Sequence, residues 1–201
     1  MRKIVIGRFL LVPAAIAALS LLLCLASLSA QTTSDVNCKG VPNFHQVNAN
    51  LFRGGQPEKG ALVRLKQLGI KTVINLRDDD QLAKEEANEA QAAGLQYFNI
   101  PLARYGRPSD SEIDDVMKLV NSLDNQPIFI HCHRGADRTG TVIAIFRIEH
   151  DGWTSEQAKA EANHYGLGFW QVKMKDYIHD YYDRKTARDR EATSQSQKPK
   201  E

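Results

Sequence analysis

The chain has 201 residues, 42% of them hydrophobic and 25% charged, which suits one compact core plus a terminal extension and excludes a disordered chain. Its formal net charge of +2 is unevenly placed, because Arg2, Lys3 and Arg8 lie in the first thirty residues with no acid, leaving −1 for the remainder. A near-neutral body gives no sign of a polyanion-binding surface, so no nucleic-acid partner is expected and any attraction to phosphate has to be local.

Residues 1–30 read as a targeting segment, either a signal peptide or an N-terminal membrane anchor. A basic start is followed by a stretch from Phe9 to Ala30 without a charged residue. Ser27-Leu28-Ser29-Ala30 before Gln31 is an acceptable small-residue cleavage site, and cleavage is the preferred reading. The same stretch also has the roughly 20 apolar positions that a bilayer-spanning anchor needs. Either way the basic end stays in the cytoplasm and the rest crosses. The expected location is therefore extracytoplasmic, periplasmic or secreted, with membrane contact only through an uncleaved anchor. The three cysteines, Cys24, Cys38 and Cys132, form no disulfide framework, since Cys24 belongs to the leader. Cys24 is also a poor lipidation site behind Leu23.

After a polar linker at 31–40, short strands are expected at Phe44–Val47 and Leu51–Arg53, closed by the turn Gly54-Gly55-Gln56-Pro57. Apolar residues at 61, 62, 65 and 68 predict a helix over Glu58–Leu68, stopped by Gly69. Lys71–Leu76 reads as a buried strand, Leu82–Ala93 as a helix ended by Gly94, and Gln96–Leu102 as a strand. A loop over Arg104–Pro108 leads to Ser109 or Asp110 as the cap of a helix reaching about Leu123. Pro127–His131 is a short apolar strand, followed by a turn and the apolar helix Thr139–His150. Helices near Ser155–Tyr165 and Phe169–Arg184 complete a domain over 41–185, and 186–201 is a polar tail expected to be disordered. Strands alternating with helices imply an α/β fold with a central, mostly parallel sheet flanked by helices. Ligands on such sheets sit beyond the strands' carboxyl ends, where Ile130-His131-Cys132 enters its turn.

That turn is His131-Cys132-His133-Arg134-Gly135-Ala136-Asp137-Arg138-Thr139-Gly140, set between a strand and a helix. Five residues between Cys132 and Arg138 let the backbone of His133, Arg134, Gly135, Ala136 and Asp137 curl into an anion bowl at a helix N-terminus. The same field favours a thiolate at Cys132, the form that acts as nucleophile. Arg138 brings a planar fork that binds two phosphoryl oxygens, which a lysine would not reproduce. Thr139 is placed to donate its hydroxyl to the sulfur as it departs. Gly135 suits the tight turn, and His131 orients the loop through backbone contacts.

The segment resembles the protein-tyrosine-phosphatase signature His-Cys-x-x-Gly-x-x-Arg-Thr-Gly at every fixed position. The surroundings are most similar to the compact, atypical dual-specificity branch, as in Leu51-Phe52-Arg53-Gly54-Gly55-Gln56-Pro57 and Val73-Ile74-Asn75-Leu76-Arg77. The resemblance implies a protein-tyrosine-phosphatase-like fold with a Cys-containing phosphate loop, and no metal or other cofactor. It also implies hydrolysis of phosphorylated proteins or small phosphomonoesters through a phospho-cysteine. By the same resemblance the general acid is Asp110, on the loop before the preceding helix, with a helix-start carboxylate as the bland alternative. Asp137 is the rival, because some phosphoinositide phosphatases carry an acid just before the arginine. Asp114 and Asp115 read as a solvated helix face. Arg53 and Arg77 end strands and either line the cleft or form surface salt bridges, the latter favoured for Arg77. Ala136 stands where inositol-phosphate-directed relatives often carry lysine. Trp153, Trp170, Tyr177, Tyr181 and Tyr182 read as packing residues. The alternatives kept open are a phosphoinositide or inositol-phosphate phosphatase, a rhodanese-like sulfurtransferase, and a non-catalytic phosphate-binding module.

Overall fold

A computed structural model describes residues 37–196; residues 1–36, which hold the expected targeting segment and most of the expected linker, and residues 197–201 lie outside the described part. The strands are β1 (His45–Asn48), β2 (Leu51–Gly54), β3 (Thr72–Asn75), β4 (Gln96–Asn99) and β5 (Ile128–His131). The α-helices are α1 (Ala61–Gln67), α2 (Gln81–Ala92), α3 (Asp110–Asn121), α4 (Asp137–His150), α5 (Ser155–His164) and α6 (Val172–Ser196). The sheet order is β1-β2-β5-β3-β4, with β1 antiparallel to β2 and every other pairing parallel. The expected α/β architecture is the one observed.

Alternation along the strands divides the core in two. Phe52, Val73 and Phe129 face α1 and α2, packing with Leu62, Leu65 and Ala90. Leu51, Ile74, Ile128 and Ile130 face the other helices, packing with Ile113, Val142, Ala158 and Ile178. Helix α4 runs through this second layer, and its residues from Arg138 to Phe146 are all buried, which accounts for its lack of a polar face. His131 at the end of β5 lies level with Gly54 of β2 and Asn75 of β3. The loops leaving these three parallel strands therefore meet at one edge, around Cys132.

Ser109, not Asp110, caps α3. Its hydroxyl accepts from the Glu112 amide while the Glu112 carboxylate accepts from the Ser109 amide at 2.7 Å, a reciprocal capping box. The last helix departs from expectation at both ends. It starts at Val172, after the Phe169–Trp170 ring pair, and continues past Arg184 to Ser196. Local pairs sustain the extension, among them Lys185–Asp189 at 2.7 Å and Thr186 Oγ1 on the Tyr182 carbonyl at 2.8 Å. Among the described residues, no helix is long and apolar enough to cross a membrane. Ser109→Ala should cost about 1 kcal/mol. It should lower the melting temperature by about 2–4 °C; an unchanged melting curve would mean that the cap contributes nothing in solution.

Candidate active site

The loop is shaped by what its carbonyl oxygens are bonded to. The His133 carbonyl accepts from the Gln56 amide at 3.1 Å. The Gly135 carbonyl accepts from Arg53 Nη2 at 2.7 Å and Asn43 Nδ2 at 3.1 Å, and Asn43 also reaches the Arg134 carbonyl at 3.4 Å. In a planar trans peptide the following N–H points the opposite way. Turning these carbonyls outward therefore turns the amides of Arg134, Gly135 and Ala136 the other way, as an anion bowl requires. Gly135 has φ +70°, and a Cβ there would fall 2.4 Å from the Gly54 carbonyl carbon. Only glycine satisfies both the turn and this backbone approach.

Cys132 is 2% exposed. It forms part of a cavity of about 170 Å³ whose walls include Arg104, Tyr105, His133, Arg134, Asp137, Arg138, Trp170 and Gln171. Arg138, buried on α4, donates from Nη1 to the carbonyls of Leu76 (3.2 Å) and Leu102 (3.5 Å). Those carbonyls lie just beyond β3 and β4, so the sheet edge holds the guanidinium at the cavity. The Thr139 hydroxyl is fully buried without a hydrogen-bond partner, so the expected bond to the sulfur is not formed. Trp170, expected to be packing, is half-exposed at the cavity wall, with the Arg134 guanidinium 5.6 Å from its ring centre. Tyr177 and Tyr181 are buried as expected.

The two candidate acids are both engaged elsewhere. Asp110 Oδ1 accepts from the Tyr177 hydroxyl and Arg184 Nη2, both at 2.8 Å, and Asp110 is absent from the cavity wall. Its position is the helix-start alternative, tied to α6. Asp137 does line the cavity, but its two oxygens accept from the Gly168 amide (2.9 Å) and from Arg134 Nη2 (2.7 Å). It braces the loop, and its hydrogen bond raises the Arg134 pKa above its ordinary value. Asp115 pairs with Lys118 on the exposed face of α3.

Two residues beneath the loop matter more than their sequence context indicates. Arg53 neither lines the cleft nor forms a surface salt bridge: it is 1% exposed, behind the loop, with its Cζ 4.4 Å from the Tyr165 ring centre. Glu86 was not anticipated at all. It is buried on α2, with Oε1 3.0 Å from His131 Nε2, an ion-pair distance whose alignment falls short of a hydrogen bond. Its other oxygen accepts from Asn75 Nδ2 at 3.2 Å and the Tyr97 hydroxyl at 3.3 Å. The burial of Ala83, Glu86 and Ala90 follows a helical stripe, the signal that places Glu86 inward. Arg77 forms the expected salt bridge, with Asp80 at 3.3 Å, and also donates to Gln56. It lines a separate, larger cavity of about 650 Å³ with Lys59, Glu85 and Glu89. Among the described residues, no cluster of three or more His, Cys, Asp or Glu side chains is placed to hold a metal ion.

A family model described as "DSP-PTPase phosphatase fused to NAD+ Kinase" matches residues 30–180. The chain belongs to this phosphatase family. Among curated relatives, the dual specificity protein phosphatase TpbA of Pseudomonas aeruginosa is 27% identical over 128 residues, covering 63% of this chain and 56% of its own. The inositol diphosphatase DSP5 of Arabidopsis thaliana is 29% identical over 150 residues, 70% of each chain. The chain thus spans little more than half the length of TpbA. Among solved structures, the catalytic core of the PP-IP phosphatase SIW14 from S. cerevisiae aligns with TM-score 0.64 at 21% identity, covering 76% of this chain and 93% of that one. P. aeruginosa TpbA aligns with TM-score 0.60 at 24% identity, over 69% and 84%. At these identities the structures establish the shared fold.

Glu86 supplies a pH test of the support beneath the phosphatase loop. Burial alone would raise its pKa, but the facing His131 and surrounding donors including Tyr97 outweigh burial and hold it below the ordinary 4.5. A depressed carboxylate contributes stability that is present above pH 4.5 and lost as pH falls through the lower folded value. Glu86→Gln should therefore be less stable at neutral pH and lose less of its remaining stability below pH 4.5. Parallel acid-unfolding curves for the two proteins would contradict this.

Proposed function

We propose that this chain is a cysteine-dependent phosphomonoesterase of the tyrosine/dual-specificity type. The observation that carries the reading is the joint placement of Cys132, the inward-turned loop amides and Arg138 around one small cavity. The Cys132 thiolate forms an S–P bond as the ester P–O bond breaks, and the leaving oxygen takes a proton. Water then attacks phosphorus, the S–P bond breaks, and inorganic phosphate departs with the thiolate restored. The loop amides and Arg138 hold the equatorial phosphoryl oxygens, offsetting the repulsion between thiolate and phosphate. A leaving group stable as an anion needs only these groups. An alkoxide also needs an acid, and Asp110 fills that role only after a rearrangement that frees it from Tyr177 and Arg184.

The rim carries Arg104, His133 and Arg134 beside Tyr105 and Trp170, suiting an anionic ester with a flat or apolar flank. The inositol diphosphatase relative and this cationic rim favour inositol phosphates as the second reading; the Asp137 carboxylate on Arg134 and the absence of a lysine at Ala136 count against it. The chemistry of Arg2, Lys3 and Arg8 followed by an uncharged Phe9–Ala30 supports an extracytoplasmic site of action. Cys132→Ser should abolish p-nitrophenyl phosphate hydrolysis while the protein stays folded. Arg138→Lys should reduce kcat/KM by about 100-fold or more, because the charge remains but the fork is lost. Steady-state kinetics on purified protein decide this, and a Cys132→Ser protein that still turns over would contradict the mechanism.

A further inference from the structure

We propose that Arg53 is a positioning residue for phosphoryl transfer, fixing the Gly135 carbonyl outward and thereby aiming the Ala136 amide, while placing a positive charge behind the bowl. The inference rests on the phosphatase reading and extends it to a residue outside the signature.

Arg53 sits in mid-sheet, its backbone level with His45 on β1 and Ile130 on β5, and heads the largest fully buried side chains of the described structure. Its Nη2 makes the shortest hydrogen bond to the loop, 2.7 Å to the Gly135 carbonyl. Its Nε and Nη1 have no hydrogen-bond partner although buried. An unpaired buried donor is unfavourable, and a methionine of comparable length would present none. Packing therefore does not explain an arginine here; what it adds is the bond to Gly135 and the charge.

The charge is real at neutral pH. Burial lowers the guanidinium pKa to about 10, while Glu161, Tyr165 and Cys132 hold it up against that penalty. Arg138 reaches the anion from within the cavity, and Arg53 bonds a carbonyl that points out of it, so the two cations act on the bowl from its two sides. Tyr165, stacked on the guanidinium, keeps it from rotating away; Asn43 ties the Tyr165 carbonyl (3.1 Å) to the same loop.

The test compares purified wild type, Arg53→Met, Arg53→Lys and, as a stability control, Val120→Ala. Val120 is buried near the end of α3 in the second core layer and is not on the cavity wall. Each protein is assayed well below its melting temperature for p-nitrophenyl phosphate turnover. Affinity for inorganic phosphate is measured at equilibrium by calorimetry, which does not depend on turnover. Arg53→Met should lower kcat about 30-fold and weaken phosphate binding about tenfold. Arg53→Lys should recover phosphate affinity to within about threefold, yet remain about tenfold slow, since it keeps charge and loses geometry. Val120→Ala should lose stability while keeping both parameters. The proposal is overturned if Arg53→Met binds phosphate and turns over like wild type, or if the control loses both parameters equally. Should Arg53→Met not fold, Arg53→Lys decides, and wild-type kcat in that variant overturns the proposal. A wild type without Cys132-dependent turnover would overturn the phosphatase reading instead, and phosphate affinity would still report on Arg53.

Discussion

Peptide planarity makes the outward pinning of three carbonyls, those of His133, Arg134 and Gly135, equivalent to the inward aiming of the next three amides. The groups that pin them come from the chain before β2, from β2 itself and from the turn after it: Asn43, Arg53 and the Gln56 amide. The bowl is thus held together across more than eighty residues of sequence, and not by the local turn alone. This explains why β2 ends on Gly54 and is followed by Gly55. A Cβ on Gly55 would lie 3.1 Å from the His133 carbonyl oxygen, and one on Gly135 would collide with Gly54.

Charge is arranged in layers around this backbone. Nearest the cavity are the loop backbone and Arg138, anchored to carbonyls beyond β3 and β4. Behind them lie Arg53 and the buried Glu86–His131 pair, and His131 immediately precedes Cys132. Farther out, Asp137 fastens Arg134 and the chain at Gly168 to the cavity wall. Buried charges of this kind are unfavourable unless compensated.

Much of this was legible in the sequence, for identifiable reasons. Strand and helix periods are local properties, and the spacing from Cys132 to Arg138 is contained in one turn, so the motif announced itself. The roles of Arg53 and Glu86 were hidden because arginine at a strand end and glutamate in an acidic helix ordinarily face water. Only tertiary packing turns them inward, although the Ala83–Glu86–Ala90 stripe carried a trace of it. Asp110 was ambiguous between cap and catalyst, and its partners Tyr177 and Arg184, more than sixty residues away, were invisible to local reasoning. The continuation of α6 beyond Arg184 was missed because its support is a polar ladder with no apolar stripe.

The central claim is that the loop amides form the anion site, and chemical-shift mapping tests it most directly. In Cys132→Ser protein titrated with inorganic phosphate, the account predicts the largest amide proton shifts, in the hydrogen-bonded direction, at Arg134, Gly135 and Ala136. The Arg138 side-chain resonances should move with the same saturation curve. Shifts centred instead on Lys59 and Arg77, beside the larger cavity, with the loop amides unmoved, would contradict it.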